Sequence, residues 1–189
     1  MLGFAVAERT VSRYMPRRPL RPDAVQTTGV AASSTSDWQT EQGCSALPTT
    51  CAARGPLPDP ACTPGALNPD VTPTTIGATI CTAGWTTTVR PPTSYTGLLK
   101  LKLMAAYNVG TDTSAFELDH LVPLELGGAP SDATNLWPEA HAPTPGSFEK
   151  DGFENYLKGE VCAGRIALAV AQEEIATDWV TYWKAAGSP

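Results

Sequence analysis

The sequence predicts an α+β fold, in which a mainly helical domain contains one short extended segment and follows a disordered N-terminal arm. Two apolar stripes with helical spacing occupy the C-terminal part of the chain, at 147–161 and 166–183. Between 116 and 126, an extended segment ends at a Gly-Gly turn. Residues 23–60 are rich in Thr, Ser, Ala, Pro and Gly. Such a composition buries too little apolar surface to offset chain entropy, which predicts disorder.

The first 22 residues form a basic leader. They carry five arginines and three prolines around Tyr14. The stretch AERTVSRYMPRRP resembles the end of a helix-turn-helix segment of integrase-type transposases. One such helix has no partner to pack on, so we interpret residues 1–22 as a leader without function, or else as a basic tail that contacts nucleic acid.

Residues 23–60 are interpreted as a disordered linker, with Trp38 as their only aromatic residue. We expect the folded domain to occupy residues 61–189 and to begin near Cys62. Its first element is predicted from β-branched residues and Trp85 within 76–89, which favour one or two strands.

A helix is predicted over 95–107, where leucines alternate with Lys100 and Lys102. Next come the extended segment at 116–126, interpreted as a short β-hairpin, and the two C-terminal helices. No run of about 18 apolar residues occurs in the chain, which excludes a membrane-spanning helix.

The charge of the domain limits its partners. The whole chain has a net charge of −6, whereas residues 61–189 have seven basic and fourteen acidic side chains, a net charge of −7. This balance argues against coating nucleic acid through bulk electrostatics. Any contact with nucleic acid is expected to be weak and salt-sensitive, and it would need the few basic residues to converge on one face: Arg90, Lys100, Lys102 and Lys150.

The most informative segment is ELDHLVPLELGGAPSDATNLWPEAH, residues 117–141. It contains both histidines of the chain, His120 and His141. Asp119 and His120 are adjacent, so an extended backbone sends their side chains in opposite directions, one toward a metal and one toward a substrate. Asn135 follows a Gly-Gly turn.

This set of residues suits phosphodiester hydrolysis, which needs a cation, a base and a group that orients the base. Asp119 is a hard oxygen ligand for Mg²⁺ or Mn²⁺. His120 is a suitable general base near neutral pH. Asn135 is expected to orient the imidazole, although asparagine at such a position is often only a turn residue.

Asp119-His120, Pro123, Gly127-Gly128 and Asn135-Leu136 resemble the D-H-x-x-P, G-G and N-L signature of the HNH, or ββα-metal, endonuclease superfamily. A longer frame, through CTPGALNPDVT, TICTAGWTTTVRPP, EKDGFE and VCAG, resembles small bacterial secreted proteins described as HNH-like or uncharacterised. The second likeness covers about residues 62–183.

The resemblance implies a two-stranded antiparallel hairpin followed by a helix, with a metal ion between them. Asp119 would be the metal ligand on the first strand, His120 the general base and Asn135 the loop asparagine. The superfamily's helix ligand falls on Thr144, which leaves the metal site incomplete. His141 or Asp151 could complete the site for a divalent ion, either Mg²⁺, Mn²⁺ or Zn²⁺.

The five cysteines form no CxxC pair, which favours disulfides and an oxidising compartment over a zinc site. The N-terminus lacks the pattern of a signal peptide, so export is inferred from the cysteines alone. Cys81 and Cys162 lie in segments shared with the resembling secreted proteins, and their pairing is expected first. Cys44 with Cys51 is second, although Cys62 could pair with either of them.

A second hypothesis is a catalytically inactive, disulfide-stapled extracellular module for binding or structural support on the same scaffold. The acidity of the domain and the missing helix ligand favour it. In that interpretation Glu117, Glu125 and Glu139 are solvent-facing charges and Lys150 is a solvated helix residue, whereas in the first one Glu139 could reach a metal and Lys150 could neutralise a phosphate.

Overall fold

The computed structural model describes residues 47–189, which have the predicted α+β fold. Four α-helices and one two-stranded antiparallel sheet make up this part of the chain. The elements are α1 (Trp85–Val89), α2 (Thr93–Ala106), β1 (Phe116–His120), β2 (Leu136–Ala140), α3 (Ser147–Cys162) and α4 (Leu168–Ala185). Within residues 47–189, no helix is both long enough and apolar enough to cross a bilayer.

Three of the helices confirm the sequence-based expectations closely. The leucine-rich segment forms α2, and the two C-terminal apolar stripes form α3 and α4. Helices α3 and α4 pack on each other, and their buried faces supply Phe153, Leu157, Ile175 and Trp179 to the main hydrophobic core. The hairpin packs against α2 on one side, through Leu103 and Leu136.

The hairpin is longer than the sequence predicted. Strand β1 pairs with β2, and Phe116 faces Ala140 while His120 faces Leu136. The second half of the predicted hairpin is instead a 3-10 turn at Leu124–Leu126, inside the loop that joins the strands. A Cβ at Gly128 would lie 1.7 Å from the Val122 carbonyl oxygen, so only glycine allows this close approach within the loop.

The strands predicted at 76–89 are wrong. A 3-10 turn occupies Ile76–Ala78, and Trp85–Val89 is the short helix α1. Threonine hydroxyls bond to nearby carbonyls here, Thr79 to Thr75 and Thr82 to Gly77. Such local bonds offer the backbone an alternative to strand pairing, and β-branched residues then no longer indicate a strand.

The folded domain begins before Cys62, so the linker boundary at residue 60 was placed too late. Cys51 is buried, forms a disulfide with Cys62 and donates its backbone N–H to the Ala106 carbonyl. The Pro56 carbonyl accepts a hydrogen bond from Trp179 Nε1. The expected Cys44–Cys51 pairing is wrong because Cys51 is bonded to Cys62. The basic leader, the rest of the linker and Cys44 lie outside the described residues.

The expected disulfide between Cys81 and Cys162 is present and links the segment before α1 to the end of α3. It closes a loop with a sequence separation of 81. We expect the Cys81→Ser/Cys162→Ser double variant to lose about 2–4 kcal/mol of unfolding free energy, since a long loop gains much freedom in the unfolded chain. Urea unfolding measures the loss.

The matched control is the Cys51→Ser/Cys62→Ser variant, whose loop has a separation of only 11. Its loss should be smaller, because the entropy of loop closure rises with loop length. Equal losses in the two variants would contradict the loop-length explanation.

Candidate active-site cleft

Three carboxylates meet on one face of the hairpin. Glu117 and Asp119 are two residues apart on β1, and Glu139 on β2 is the register partner of Glu117. Because side chains alternate along a strand, all three lie on the same face. One oxygen of each carboxylate lies within 4.8 Å of the others, and Asp119 and Glu139 are buried.

Lys150 projects from α3 onto these carboxylates and is fully buried. Its Nζ lies 2.8 Å from Asp119 Oδ2, also pairs with Glu154, and donates a hydrogen bond of 3.0 Å to the His120 carbonyl. Burial alone would lower the pKa of Lys150, but the charges of Asp119, Glu154 and Glu139 raise it above its ordinary value. Lys150 is therefore a permanent cation of the site.

One ammonium does not satisfy all of these oxygens. Both carboxylate oxygens of Glu139 and Oδ2 of Asp119 are buried without a hydrogen bond from the described residues, although Asp119 Oδ2 forms the ion pair with Lys150. A buried carboxylate without a partner is costly and takes up a proton or a cation. Burial and then the Asp119 charge raise the pKa of Glu139 well above its ordinary value.

The pKa values of two neighbouring carboxylates, Glu117 and Glu154, are also raised. Burial, followed by the charges of Asp119 and Asp151, raises the pKa of Glu117 to about 7. Burial is also the largest cause for Glu154, whose pKa rises to about 8 even though the Lys150 ammonium opposes the shift. The metal-free site therefore holds protons near neutral pH.

His120 at the end of β1 has a defined tautomer. Its Nε2 lies 2.9 Å from the Pro130 carbonyl, which can only accept, so Nε2 carries the proton. The other nitrogen, Nδ1, accepts no hydrogen bond from residues 47–189 and is the basic atom. Burial lowers the pKa of His120, more than the Pro130 bond and the Asp119 charge raise it, so the imidazole is neutral at pH 7.

His120 and most of the acidic groups share one cleft of about 260 Å³ between the hairpin, the 124–126 turn, α1 and α3. An imidazole with a free nitrogen thus shares a concave site with carboxylates whose pKa values are perturbed, which is typical of acid–base catalysis. The polar and charged residues that line it are Thr86, Arg90, Glu117, Asp119, His120, Glu125, Asp151, Glu154 and Asn155.

The structure brings Asp119, His120 and Asp151 together in this cleft, as expected, but not His141. His141 Nδ1 lies 2.7 Å from Ser147 Oγ, and its ring stacks on Phe148. These contacts hold His141 outside the cleft lining, so the described residues lend no support to its assignment as a metal ligand, which stays a prediction.

Asn135 does not touch the imidazole. Its fully buried amide bonds to the backbone N–H and carbonyl of Val122 and to the Ala129 carbonyl. It therefore fixes the loop between the strands, and the adjacent Pro130 carbonyl orients His120. Asn135 therefore acts on the imidazole through the loop backbone and not by a hydrogen bond of its own side chain.

The sequence did not single out Glu117 as a site residue, and it named Glu139 and Lys150 only as alternatives, Glu139 toward a metal and Lys150 toward a phosphate. The E-x-D spacing of β1 was the available signal, since alternation places Glu117 beside Asp119. Glu139 joins them only through the strand register. The buried Lys150 pairs with Glu154 one helical turn later, a spacing that is usually found on solvated helix faces.

The donor set fits a hard divalent ion. Glu117, Asp119 and Glu139 offer oxygen atoms close together, and the unpartnered oxygens of Glu139 need a positive charge. Mg²⁺ and Mn²⁺ prefer carboxylate oxygen, whereas Zn²⁺ is usually held by nitrogen and sulfur donors. Neither nitrogen nor sulfur belongs to this group, so its chemistry favours Mg²⁺ or Mn²⁺ over Zn²⁺.

Comparison with protein-family models, with characterised proteins and with solved structures finds no match for this chain.

The raised pKa values predict that metal-free protein loses stability as the pH rises. Between the unfolded pKa of about 4.5 and their folded values, Glu117 and Glu154 bind protons that the unfolded chain releases. The contribution is therefore complete at low pH and is lost through pH 7 to 8. We expect the melting temperature in EDTA to fall by about 5 °C from pH ~6.5 to pH ~9.

The pH interval is chosen so that the titration of His120 contributes little. Because the pKa of His120 is lowered in the folded protein, His120 makes stability rise with pH, but mainly below about pH 6.5. Mg²⁺ or Mn²⁺ should reduce the fall, since a bound cation replaces the protons. A melting temperature that stays constant or rises over this interval in EDTA would show that the cluster is not desolvated.

Proposed function

We propose that this chain is a metal-dependent endonuclease of the HNH, or ββα-metal, type that hydrolyses phosphodiester bonds in nucleic acid. The observation that carries the proposal is the geometry of His120. Its Nε2 is held by the Pro130 carbonyl, its Nδ1 is left basic, and His120 lines the same cleft as Glu117 and Asp119 of the hairpin. The order of β1, β2 and α3 matches the arrangement that the resemblance implies.

In the proposed mechanism, His120 Nδ1 removes a proton from a water molecule in the cleft. The resulting hydroxide attacks phosphorus, the P–O bond to the leaving oxygen breaks, and that oxygen takes a proton from water. The Pro130 carbonyl stabilises the imidazolium that forms, since Nε2–H donates to it throughout. Asn135 supports this carbonyl through its bond to Ala129.

Glu117, Asp119 and Glu139 would hold the divalent ion, with Asp151 as a further carboxylate of the cleft. When bound, such an ion stabilises negative charge on the phosphate as a Lewis acid. Lys150 keeps Asp119 ionised and in place through its ion pair. The two disulfides suit an oxidising compartment, which supports an extracytoplasmic or secreted protein.

The test is a cleavage assay on a plasmid and on a labelled single strand, with Mg²⁺, Mn²⁺, Zn²⁺ or EDTA at low salt. We expect slow cleavage with Mg²⁺ or Mn²⁺, none in EDTA, and a rate that decreases as salt is added, because few basic side chains are available to hold the phosphates. Cleavage that persists in EDTA would contradict the proposal, and so would the absence of cleavage with every metal.

The Glu139→Gln variant distinguishes an effect on metal binding from an effect on folding stability. In EDTA this variant should be more stable than the wild type, since a buried carboxyl group that lacks partners becomes a neutral amide. It should also bind Mn²⁺ at least about tenfold more weakly, as measured by calorimetry. Glu173→Gln on the exposed face of α4 is the matched control and should change neither quantity.

If Glu139→Gln binds Mn²⁺ as tightly as the wild type, the hairpin carboxylates are not the metal site. A second candidate function would then be favoured, a catalytically inactive disulfide-stapled binding or structural module. The observation behind it is the Lys150 ammonium, which comes from α3 and pairs with Asp119 at 2.8 Å. There it supplies the positive charge that a metal ion would otherwise supply.

A further inference from the structure

The basic side chains of the described residues are mostly committed to partners. Lys150 is buried among carboxylates, and Lys158 and Arg165 pair with Glu125 and Glu160. Lys100 donates to two backbone carbonyls and Arg54 to one. Lys102 and Lys184 are exposed and do not line the cleft.

Arg90 differs from all of these. Its side chain is exposed, lines the cleft with His120 and Asp151, and forms no hydrogen bond or ion pair with residues 47–189. It is the unpaired cation at the cleft within the described part of the chain.

The backbone holds Arg90 in position. It follows the last residue of α1, and its N–H donates to the Thr86 carbonyl at 3.0 Å. Pro91 comes next and restricts Arg90 to the extended conformation that it adopts, with ψ at 126°. Cys81 anchors the preceding segment to α3 through its disulfide.

We propose that Arg90 is the phosphate-binding residue of this cleft, and that it admits one phosphodiester at a time, as in a single strand or a short oligonucleotide, rather than a duplex bound along its length. The inference rests on the proposed function and specifies its substrate. A guanidinium presents paired donors that match the oxygens of a phosphate. The remaining wall is acidic and repels any further phosphates.

The number of phosphates contacted is measurable from salt dependence. Each phosphate neutralised on a single strand contributes about −0.7 to the slope of log affinity against log salt. A cleft with Arg90 alone therefore predicts a slope near −1 or shallower, whereas a duplex held through many phosphates gives a slope several times steeper.

The experiment measures binding without turnover. The His120→Ala protein, in Mg²⁺, is titrated with the thymidine dinucleotide and with a duplex by calorimetry or NMR, alongside His120→Ala/Arg90→Gln. We expect Arg90→Gln to weaken dinucleotide binding by about 10- to 100-fold, the value of a hydrogen-bonded charge, and to flatten the salt slope. Arg90→Lys should recover part of the affinity, and the control Lys102→Gln should change nothing.

Unchanged dinucleotide affinity in Arg90→Gln would overturn the inference, and so would a steep salt slope or no saturation in the parent protein. The two proposals fail separately. If the wild type binds the dinucleotide through Arg90 but cleaves neither plasmid nor a labelled single strand with any metal, the endonuclease function fails and the phosphate site remains. If it nicks plasmid and Arg90→Gln has no effect on binding, only the Arg90 inference fails.

Discussion

Replacement of His120 with alanine is expected to lower kcat for metal-dependent phosphodiester cleavage by about a hundred- to ten-thousand-fold, the usual contribution of a general base. The reason is that Nδ1 of His120 is the basic atom of the cleft, with Nε2 already donating to Pro130. The assay is initial-rate cleavage of a labelled single strand with Mn²⁺, and circular dichroism verifies that the variant remains folded.

The chain offers a matched control, because it has two histidines. His141→Ala removes an imidazole that bonds to Ser147 and does not line the cleft, so cleavage should continue at close to the wild-type rate. The pH profile provides a second check. The lowered pKa of His120 places the rise of kcat/KM below pH 6.5, with a plateau near neutrality. A His120→Ala protein that cleaves at the wild-type rate would eliminate the mechanism.

Lys150→Met is expected to cost about 3–5 kcal/mol of unfolding free energy, because it removes the cation from a buried group of carboxylates. The loss corresponds to a fall in melting temperature of about 10 °C or more for a chain of this size. The aliphatic part of Lys150 is preserved, so the effect reports on charge. Thermal unfolding in EDTA at about pH 9, above the raised pKa values of Glu117 and Glu154, measures it.

Two further variants test whether the loss of stability in Lys150→Met comes from the buried charge. Lys158→Met removes a half-exposed ammonium that lies 3.5 Å from Glu125, and it should cost no more than about 1 kcal/mol. The double variant Lys150→Met/Glu154→Gln should recover part of the lost stability, since one of the uncompensated carboxylates becomes neutral. A Lys150→Met protein as stable as the Lys158→Met control would mean that the carboxylates are hydrated or protonated without cost.

The Lys150 result also bears on metal binding. Mn²⁺ should stabilise Lys150→Met more than the wild type, because the variant has lost the positive charge that competes for Asp119. This separates the two candidate functions. A metal-binding site is expected to bind Mn²⁺ more tightly once the Lys150 ammonium is removed. A module that relies on the ammonium alone is expected to bind no Mn²⁺, either as the wild type or as Lys150→Met.

Local patterns were sufficient where structure depends on neighbours in the chain. The helices α3 and α4 follow from the helical spacing of Phe153, Leu157, Ile175 and Trp179, which needs no knowledge of distant residues. The same local pattern failed at 76–89, since threonines that bond to their own turn have the composition of a strand.

Some residues of the candidate site could likewise be identified from local sequence, and others could not. The pair Asp119 and His120 could be identified because the two residues are adjacent in the sequence, so no long-range contact is needed to bring them to one site. Glu139 and Lys150 could not, because their environment depends on elements separated by loops. A carboxylate or an ammonium is normally solvated, and only the packing of α3 on the hairpin makes this pair buried.

By itself, the sequence determined the α+β class, the positions of the long helices, the acidity of the domain and the adjacency of a carboxylate and an imidazole. The tertiary structure alone decided which charges share a cleft, which are desolvated, which nitrogen of His120 is basic and that Arg90 has no partner among residues 47–189. The physical reason is that secondary structure arises from short-range backbone preferences, whereas burial and electrostatic coupling depend on which distant segments exclude water from one another.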